Sequence, residues 1–150
     1  MAERKKRPAA FLTPEERAAV EEAIAEAEGT TSGEIRVVIS RSAKGDPLEA
    51  ARKAFVRLGM HRTRERNGVI IHLATADRKF AIYGDEGVHR IVGQEGWERI
   101  RDGMAERFAR GAFGEGLVYA VREVGKVLAR HFPWRPDDVN ELPDEVVEED

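Results

Sequence analysis

The feature that most constrains the fold is a pair of apolar segments separated by a turn too short to hold a helix. The stretch NGVIIHLATADRKFAIYGDEG, residues 67–87, contains the apolar runs 68–74 and 78–83, with a polar turn over 75–77 between them. A connection of about three residues joins only neighbouring antiparallel strands. The sequence therefore predicts a β-hairpin.

The first strand of this hairpin is predicted to be a central strand. Its residues 69–71 are Val-Ile-Ile, so both of its faces are apolar. Such runs are typical of strands that helices cover on both sides. The segment GEIRVVIS, residues 33–40, carries isoleucine or valine at every second position and predicts a further strand.

Helical signals occupy most of the remaining chain. The segment LTPEERAAVEEAIAEAEG has Thr13 as N-cap, Pro14 at the first helical position and Glu16 completing a capping box, which predicts a helix from Pro14. A short helical turn is expected near 89–92. Apolar residues recur at helical spacing in three later segments, 48–58, 97–108 and 115–131.

The predicted order α-β-α-β-β-α-α indicates an α/β protein. We expect a three-layer α/β/α sandwich around a small mixed β-sheet that includes the antiparallel hairpin. The folded domain is predicted over 12–132. Residues 1–11 are expected to form a disordered basic arm and residues 133–150 an acidic tail in solvent, because both are dense in like charges.

Composition excludes several classes of protein. The chain has 150 residues and no cysteine, which excludes disulfides, thiolate nucleophiles and cysteine-ligated metals. Its net charge of −3 argues against a nucleic-acid partner, since binding phosphates needs a concentrated basic face. No apolar run approaches the roughly 20 residues that span a bilayer, and none follows the basic start as an export signal would require. We therefore expect a soluble cytoplasmic protein without membrane insertion.

Four segments of the sequence are recognisable together. They are LTPEER at 12–17, GEIRVVI at 33–39, the stretch 67–87, and FARGAFGEGLVYAV at 108–121. In combination they resemble the TPM domain family (TLP18.3/Psb32/MOLO-1 type), over nearly all of the predicted domain. The resemblance implies an α/β/α sandwich.

The resemblance also implies several different functions. A plant member of the family is linked to photosystem II repair, with acid phosphatase activity and calcium binding, and an animal member modulates a membrane receptor. Members usually carry an export signal and a C-terminal membrane helix, which we do not find in this sequence. A shared fold does not select among such functions.

The acidic residues around the hairpin are the candidate catalytic and metal-binding groups. Asp77 lies in the predicted turn, and Asp85 and Glu86 follow the second strand. If these carboxylates converge, they form a candidate phosphatase site, and Asp85 with Glu86 offers the oxygen ligands that Ca²⁺ prefers. The alternative is that Asp85 and Glu86 cap the helical turn that follows.

A basic loop before the central strand is the candidate anion-binding site. Arg62, Arg64 and Arg66 alternate with Thr and Glu there, a pattern that also fits a solvated, internally paired loop. His72 interrupts an apolar strand and is interpreted as an interior or edge histidine rather than a base. The histidines of the chain lack metal-ligand spacing.

These observations lead to two functional hypotheses. The first is a soluble cytoplasmic TPM-domain protein that acts as a binding or regulatory module, with protein partners and without efficient catalysis. The alternative is a weak metal-dependent acid phosphatase that uses the corner formed by Asp77, Asp85 and Glu86, with Ca²⁺ as the possible metal.

Overall fold

The computed structural model describes residues 7–136 and 145–149, which form helices around one sheet. The helices are α1 Pro8–Phe11, α2 Pro14–Glu28, α3 Pro47–Arg57, α4 Glu86–Ala109 and α5 Phe113–His131, with a 3₁₀ turn at Met60–Arg62. The strands are β1 Glu34–Ser40, β2 Gly68–Ala74, β3 Lys79–Gly84 and β4 Val147–Glu149. None of the described helices combines the length and the apolar character needed to cross a bilayer.

The sheet is mixed and has the strand order β3-β2-β1-β4. Strand β1 pairs in parallel with β2 on one side and with β4 on the other. Strands β2 and β3 form the predicted antiparallel hairpin. Every residue of β2 is buried, which confirms its prediction as a central strand.

Helices cover both faces of the sheet, as predicted. Alternate residues of β1 point to opposite faces, so Ile35, Val37 and Ile39 join the larger apolar core beneath α2, α4 and α5. Val38 points the other way and joins a smaller core with Phe55 of α3. The architecture is therefore the predicted α/β/α sandwich, with α3 and the 3₁₀ turn on the thinner side.

The helix starts follow from local sequence. In α2, the Glu16 backbone N–H donates to Thr13 Oγ1 at 3.1 Å and the Thr13 N–H donates to Glu16 Oε1 at 2.9 Å, which confirms the capping box. In α3, Asp46 Oδ2 accepts from the Glu49 N–H at 3.1 Å and Pro47 occupies the first helical position. The dipeptide Asp46-Pro47 therefore starts α3 by local sequence alone.

The two helical segments predicted after the hairpin are both present. The expected helical turn near 89–92 and the helix after it lie within α4, separated where Gly93 adopts a non-helical backbone with a φ of 71° and a ψ of 167°. Glycine tolerates this positive φ, which redirects the chain between the two segments. The predicted packing stripe is confirmed, since its members are buried: Trp97, Ile100, Met104 and Phe108.

The structure corrects the expectation for both ends of the chain. Residues 1–6, 137–144 and 150 lie outside the described ranges. The expected disordered arm is wrong for 8–11, because this segment forms α1 and Phe11 packs edge-on against Phe113 at a centroid distance of 4.9 Å. The expected solvated tail is wrong for 145–149, because Val146 is buried and β4 extends the sheet. Two apolar residues amid many acidic ones are a weak strand signal, and pairing with β1 supplies the missing stabilisation.

We expect substitution of Gly84 by Ala to destabilise the fold. A Cβ at this end of β3 would overlap the Trp97 ring of α4. Such overpacking costs about 1–3 kcal/mol of unfolding free energy. Urea denaturation of Gly84→Ala checks this, with Gly29→Ala as the control, because Gly29 has an ordinary φ of −70° and room for a methyl group. Equal midpoints for both variants would contradict this packing.

Candidate functional site

The carboxylates predicted to converge lie at opposite ends of the hairpin. Asp77 is in the turn that joins β2 to β3, whereas Asp85 and Glu86 follow the far end of β3. The length of β3 separates them, about 20 Å at the usual rise of a strand. The predicted corner of all three residues is therefore wrong, because a hairpin places its turn and its exit at opposite edges of the sheet.

Asp85 caps α4 and holds the preceding loop. Asp85 is only 2% exposed, and its Oδ1 accepts from the Glu86 N–H at 2.8 Å. Arg66 donates to both carboxylate oxygens, from Nε to Oδ2 at 2.7 Å and from Nη2 to Oδ1 at 2.9 Å. Glu86 is 63% exposed and lies 3.4 Å from Arg66. This confirms the capping interpretation of Asp85 and explains how its buried charge is compensated.

Gly87 allows this loop to approach the helix. Its N–H donates to the Arg66 carbonyl at 2.8 Å, and a Cβ at Gly87 would overlap the carbonyl oxygens of Glu65 and Arg66. Arg66 itself has a left-handed φ of 52°. Among the predicted anion-binding arginines, Arg66 is thus engaged in an ion pair, while Arg62 and Arg64 are exposed.

We expect Asp85→Asn to lower the unfolding free energy by about 1–2 kcal/mol, because asparagine keeps a cap but loses the ion pair with Arg66. Guanidinium denaturation checks this. Glu86→Gln is the matched control, since Glu86 is exposed and next in sequence. A larger loss in Glu86→Gln than in Asp85→Asn would show that the roles of the two carboxylates are reversed.

A groove lies at the other edge of the sheet, where the parallel strands β1, β2 and β4 all end. In open α/β sheets this carboxyl edge is the usual place for ligands. Here it encloses a cavity of about 650 Å³. We call it the carboxyl-edge groove and define it by its polar lining residues: Ser40, Arg41, Ser42, Lys44, Asp46, Glu49, Lys53, Arg57, His72 and Glu149.

Basic side chains outnumber acidic ones by one in the carboxyl-edge groove. It contains four arginine or lysine side chains, Arg41, Lys44, Lys53 and Arg57, and three carboxylates, Asp46, Glu49 and Glu149. Two of its carboxylates have local roles, because Asp46 caps α3 and Glu49 accepts two hydrogen bonds from Arg52, at 2.6 and 3.0 Å. The hydrogen bonds from Arg52 also lower the pKa of Glu49. The groove can therefore offer positive charge to a ligand.

The floor of the groove is a hydrogen-bonded pair of side chains. Ser40 Oγ, at the end of β1, lies 3.0 Å from His72 Nε2 of β2. His72 is 3% exposed, which confirms that it is an interior histidine. Burial lowers the pKa of His72, with a smaller opposing effect from Glu149, so the imidazole is neutral near pH 7. The pair supplies polar groups without adding charge to the floor.

Asp77 shapes one wall of the groove. Its Oδ2 accepts from Ser42 Oγ at 2.6 Å and from the Ala43 N–H at 2.8 Å. Directly after the turn, Lys79 at the start of β3 donates from Nζ to the Gly45 carbonyl at 3.1 Å. The turn between β2 and β3 thus holds the loop between β1 and α3 in place. Asp77 is a positioning residue here, and the hydrogen bonds from Ser42 and Ala43 lower its pKa.

We expect the Asp77 carboxyl group to titrate below 3.8, the value of an unperturbed aspartate. Because its folded pKa is depressed, its hydrogen bonds stabilise the fold above the unfolded pKa, and this contribution is lost as pH falls through the folded pKa. NMR titration of the Asp77 Cγ resonance checks this. Ser42→Ala should move the midpoint upward, and a wild-type midpoint above 3.8 would contradict the hydrogen bonds that Asp77 accepts from Ser42 and Ala43.

The described ranges contain no group of three or more His, Asp or Glu residues arranged to hold a metal ion. Asp85 and Glu86, the predicted calcium ligands, lie next to Arg66, whose guanidinium already satisfies the Asp85 carboxylate. Calcium binding stays a prediction for this protein.

Comparison with known proteins identifies the family. The TPM domain matches residues 6–127, which is most of the chain. The chain belongs to the TPM domain family. Comparison with curated proteins gives no significant match.

Solved structures of TPM-like domains support the fold. Protein BA42 from the psychrophilic bacterium Bizionia argentinensis is 39% identical, and the match covers 93% of this chain and 96% of BA42 with a TM-score of 0.85. The N-terminal domain of a protein from P. gingivalis is 23% identical, and the match covers 83% of this chain and 80% of that domain with a TM-score of 0.68. The N-terminal domain of cg2496 from Corynebacterium glutamicum is 17% identical, covers 78% and 74%, and has a TM-score of 0.62. The last two likenesses concern the fold alone.

Proposed function

We propose that this TPM-domain protein is a binding module that takes a small anionic ligand in the carboxyl-edge groove, without efficient catalysis. The observation that carries the proposal is a cavity of about 650 Å³ at the ends of the parallel strands, lined by four basic and three acidic side chains. Protein partners and a cytoplasmic location stay predictions from the sequence.

Two lysines of the groove are available to a ligand. Lys44 and Lys53 donate no side-chain hydrogen bond to any other described residue. Their flexible ammonium groups act as mobile point charges and suit phosphate or pyrophosphate oxygens. Ser40 and His72 add hydrogen-bonding groups at the floor. Anion binding therefore uses groups that the fold leaves available.

The positions of the acidic residues favour binding over metal-dependent phosphatase chemistry. Asp77 and Asp85 are each engaged in hydrogen bonds that organise a loop or a helix start. A metal-activated water needs several oxygen ligands around one point. The separation of these carboxylates therefore supports a module over the sequence-based phosphatase alternative.

The test is an NMR titration of the ¹⁵N-labelled chain with pyrophosphate. We expect saturable shifts in the amides of residues 41–46 and of Lys53, Arg57 and His72. Lys44→Gln with Lys53→Gln should raise the Kd about ten-fold, because two nearby charges are lost. Lys126→Gln is the control, since Lys126 pairs with Glu123 on α5 and lies outside the groove.

Three outcomes would contradict the proposal. Shifts centred on Arg62 and Arg64 would place the anion site at the other edge of the sheet. The absence of amide shifts at millimolar pyrophosphate would show that anion binding is not the function. Turnover of p-nitrophenyl phosphate that the lysine substitutions abolish would make the protein an enzyme. A parallel titration with Ca²⁺ reports directly on the amides of Asp85 and Glu86.

A further inference from the structure

The C-terminal strand contributes one side chain to the carboxyl-edge groove. Strand β4 is only three residues long and pairs in parallel with the end of β1, with Glu149 opposite Ser40. This register brings Glu149 to the edge of the sheet where the groove lies. The carboxylate of Glu149 therefore lines the cavity proposed to bind an anion.

The neighbouring residues Glu148 and Glu149 of β4 lie on opposite faces of the sheet. Glu149 accepts a hydrogen bond from Arg57 of α3 at 2.6 Å, on the groove side. Glu148 pairs with Arg17 of α2, on the side of the larger core. This alternation is the ordinary consequence of strand geometry. The chain thus places two equal charges in adjacent positions, only one of which touches the groove.

The ion pair between Arg57 and Glu149 is open to exchange. The side chain of Arg57 is 54% exposed and that of Glu149 is 30% exposed. Ion pairs at this level of exposure contribute little to stability, because water screens them and both side chains lose freedom when they pair. An anion entering the groove can therefore take over the Arg57 guanidinium.

Other contacts hold β4 in place when Glu149 is displaced. Val146 is buried in the larger core, and its N–H donates to Glu21 of α2 at 2.9 Å. Glu148 pairs with Arg17, and Arg17 also donates to the Val146 carbonyl at 3.4 Å. Displacing Glu149 therefore requires rotation of one side chain and leaves the strand in the sheet.

We propose that Glu149 is an internal ligand of the carboxyl-edge groove, which an external anion displaces from Arg57 when it binds. The Glu149 carboxylate, which belongs to the same chain, occupies the position beside Arg57 that the anionic group of the ligand takes. It lowers the affinity for every anion and restricts binding to ligands with enough charge to displace a carboxylate. Pyrophosphate meets this condition better than acetate, because it carries several negative charges and acetate carries one. The inference rests on the proposed function.

The experiment compares pyrophosphate binding to wild type, Glu149→Gln and Glu148→Gln by isothermal titration calorimetry. Glutamine keeps the shape and a hydrogen-bond acceptor for Arg57, so Glu149→Gln removes the charge alone. We expect its Kd for pyrophosphate to fall about five-fold, the effect of one nearby charge at the surface. Glu148→Gln has the same net charge as Glu149→Gln but changes the other face of the sheet. Its Kd for pyrophosphate should equal the wild-type value.

A second readout follows displacement directly. In the wild-type chain, the Glu149 side-chain carboxyl ¹³C resonance should shift with the same Kd that calorimetry gives, whereas the Glu148 resonance should stay in place. Acetate should bind Glu149→Gln more tightly than wild type. These results would support Glu149 as an internal ligand that opposes binding.

The outcomes separate this inference from the proposed function. Equal pyrophosphate affinity in wild type and Glu149→Gln would overturn the internal ligand and leave anion binding intact. An equal increase in pyrophosphate affinity in Glu148→Gln and Glu149→Gln would also overturn the internal ligand, since the change in net charge alone would explain it. Weaker binding in Glu149→Gln would make Glu149 part of the binding site and reverse the inference. No binding in any variant would overturn both proposals.

Discussion

The burial of β2 on both faces is the constraint on which the rest of the structure depends. All of its residues are buried, and its backbone pairs with β1 on one side and β3 on the other. Because both faces are apolar, helices must cover both, and the sandwich follows. The covering is unequal, with α2, α4 and α5 on one face and α3 on the other. The thinner face leaves room for a groove beside α3.

Mixed pairing around β2 decides which residues meet. Its parallel pairing with β1 brings the end of β1 and His72 to one edge of the sheet. Its antiparallel pairing with β3 brings the hairpin turn, with Asp77, to the same edge and sends Asp85 to the opposite one. Asp77 and Asp85, although close in sequence, therefore lie at opposite ends of the hairpin. One shapes the wall of a basic groove, and the other caps a helix.

Charged groups in this domain are compensated locally. The buried Asp85 is paired with Arg66 and with a helix N-terminus, since an unpaired buried carboxylate would be costly. Asp77 is exposed, yet it accepts hydrogen bonds from the loop before α3. Lys44 and Lys53 are different, because the described fold gives their ammonium groups no hydrogen-bond acceptor. This contrast is why the carboxyl-edge groove, and not the acidic hairpin, is our candidate site.

The sequence by itself determined the local elements and the fold class. Residues close together in the chain predict four features: the hairpin, the capping box of α2, the packing stripe of α4 and the burial of β2. This is because turn length, helix caps and the period of apolar residues are properties of short segments. The family resemblance pointed to the same sandwich, and the match over 6–127 establishes that family. The start of β3 lies one residue later than predicted, because Arg78 lies in the turn with a φ of 54° and β3 begins at Lys79.

Only the tertiary structure decided the site. Ser40, His72 and Glu149 are far apart in the chain, and they meet because β1 pairs in parallel with both β2 and β4. The sequence signalled β4 too weakly, since its stability comes from β1, Glu21 and Arg17 rather than from its own residues. Strand order and register depend on contacts between distant segments, which no local pattern encodes. Local patterns therefore determine the elements, while long-range pairing decides which side chains form the groove.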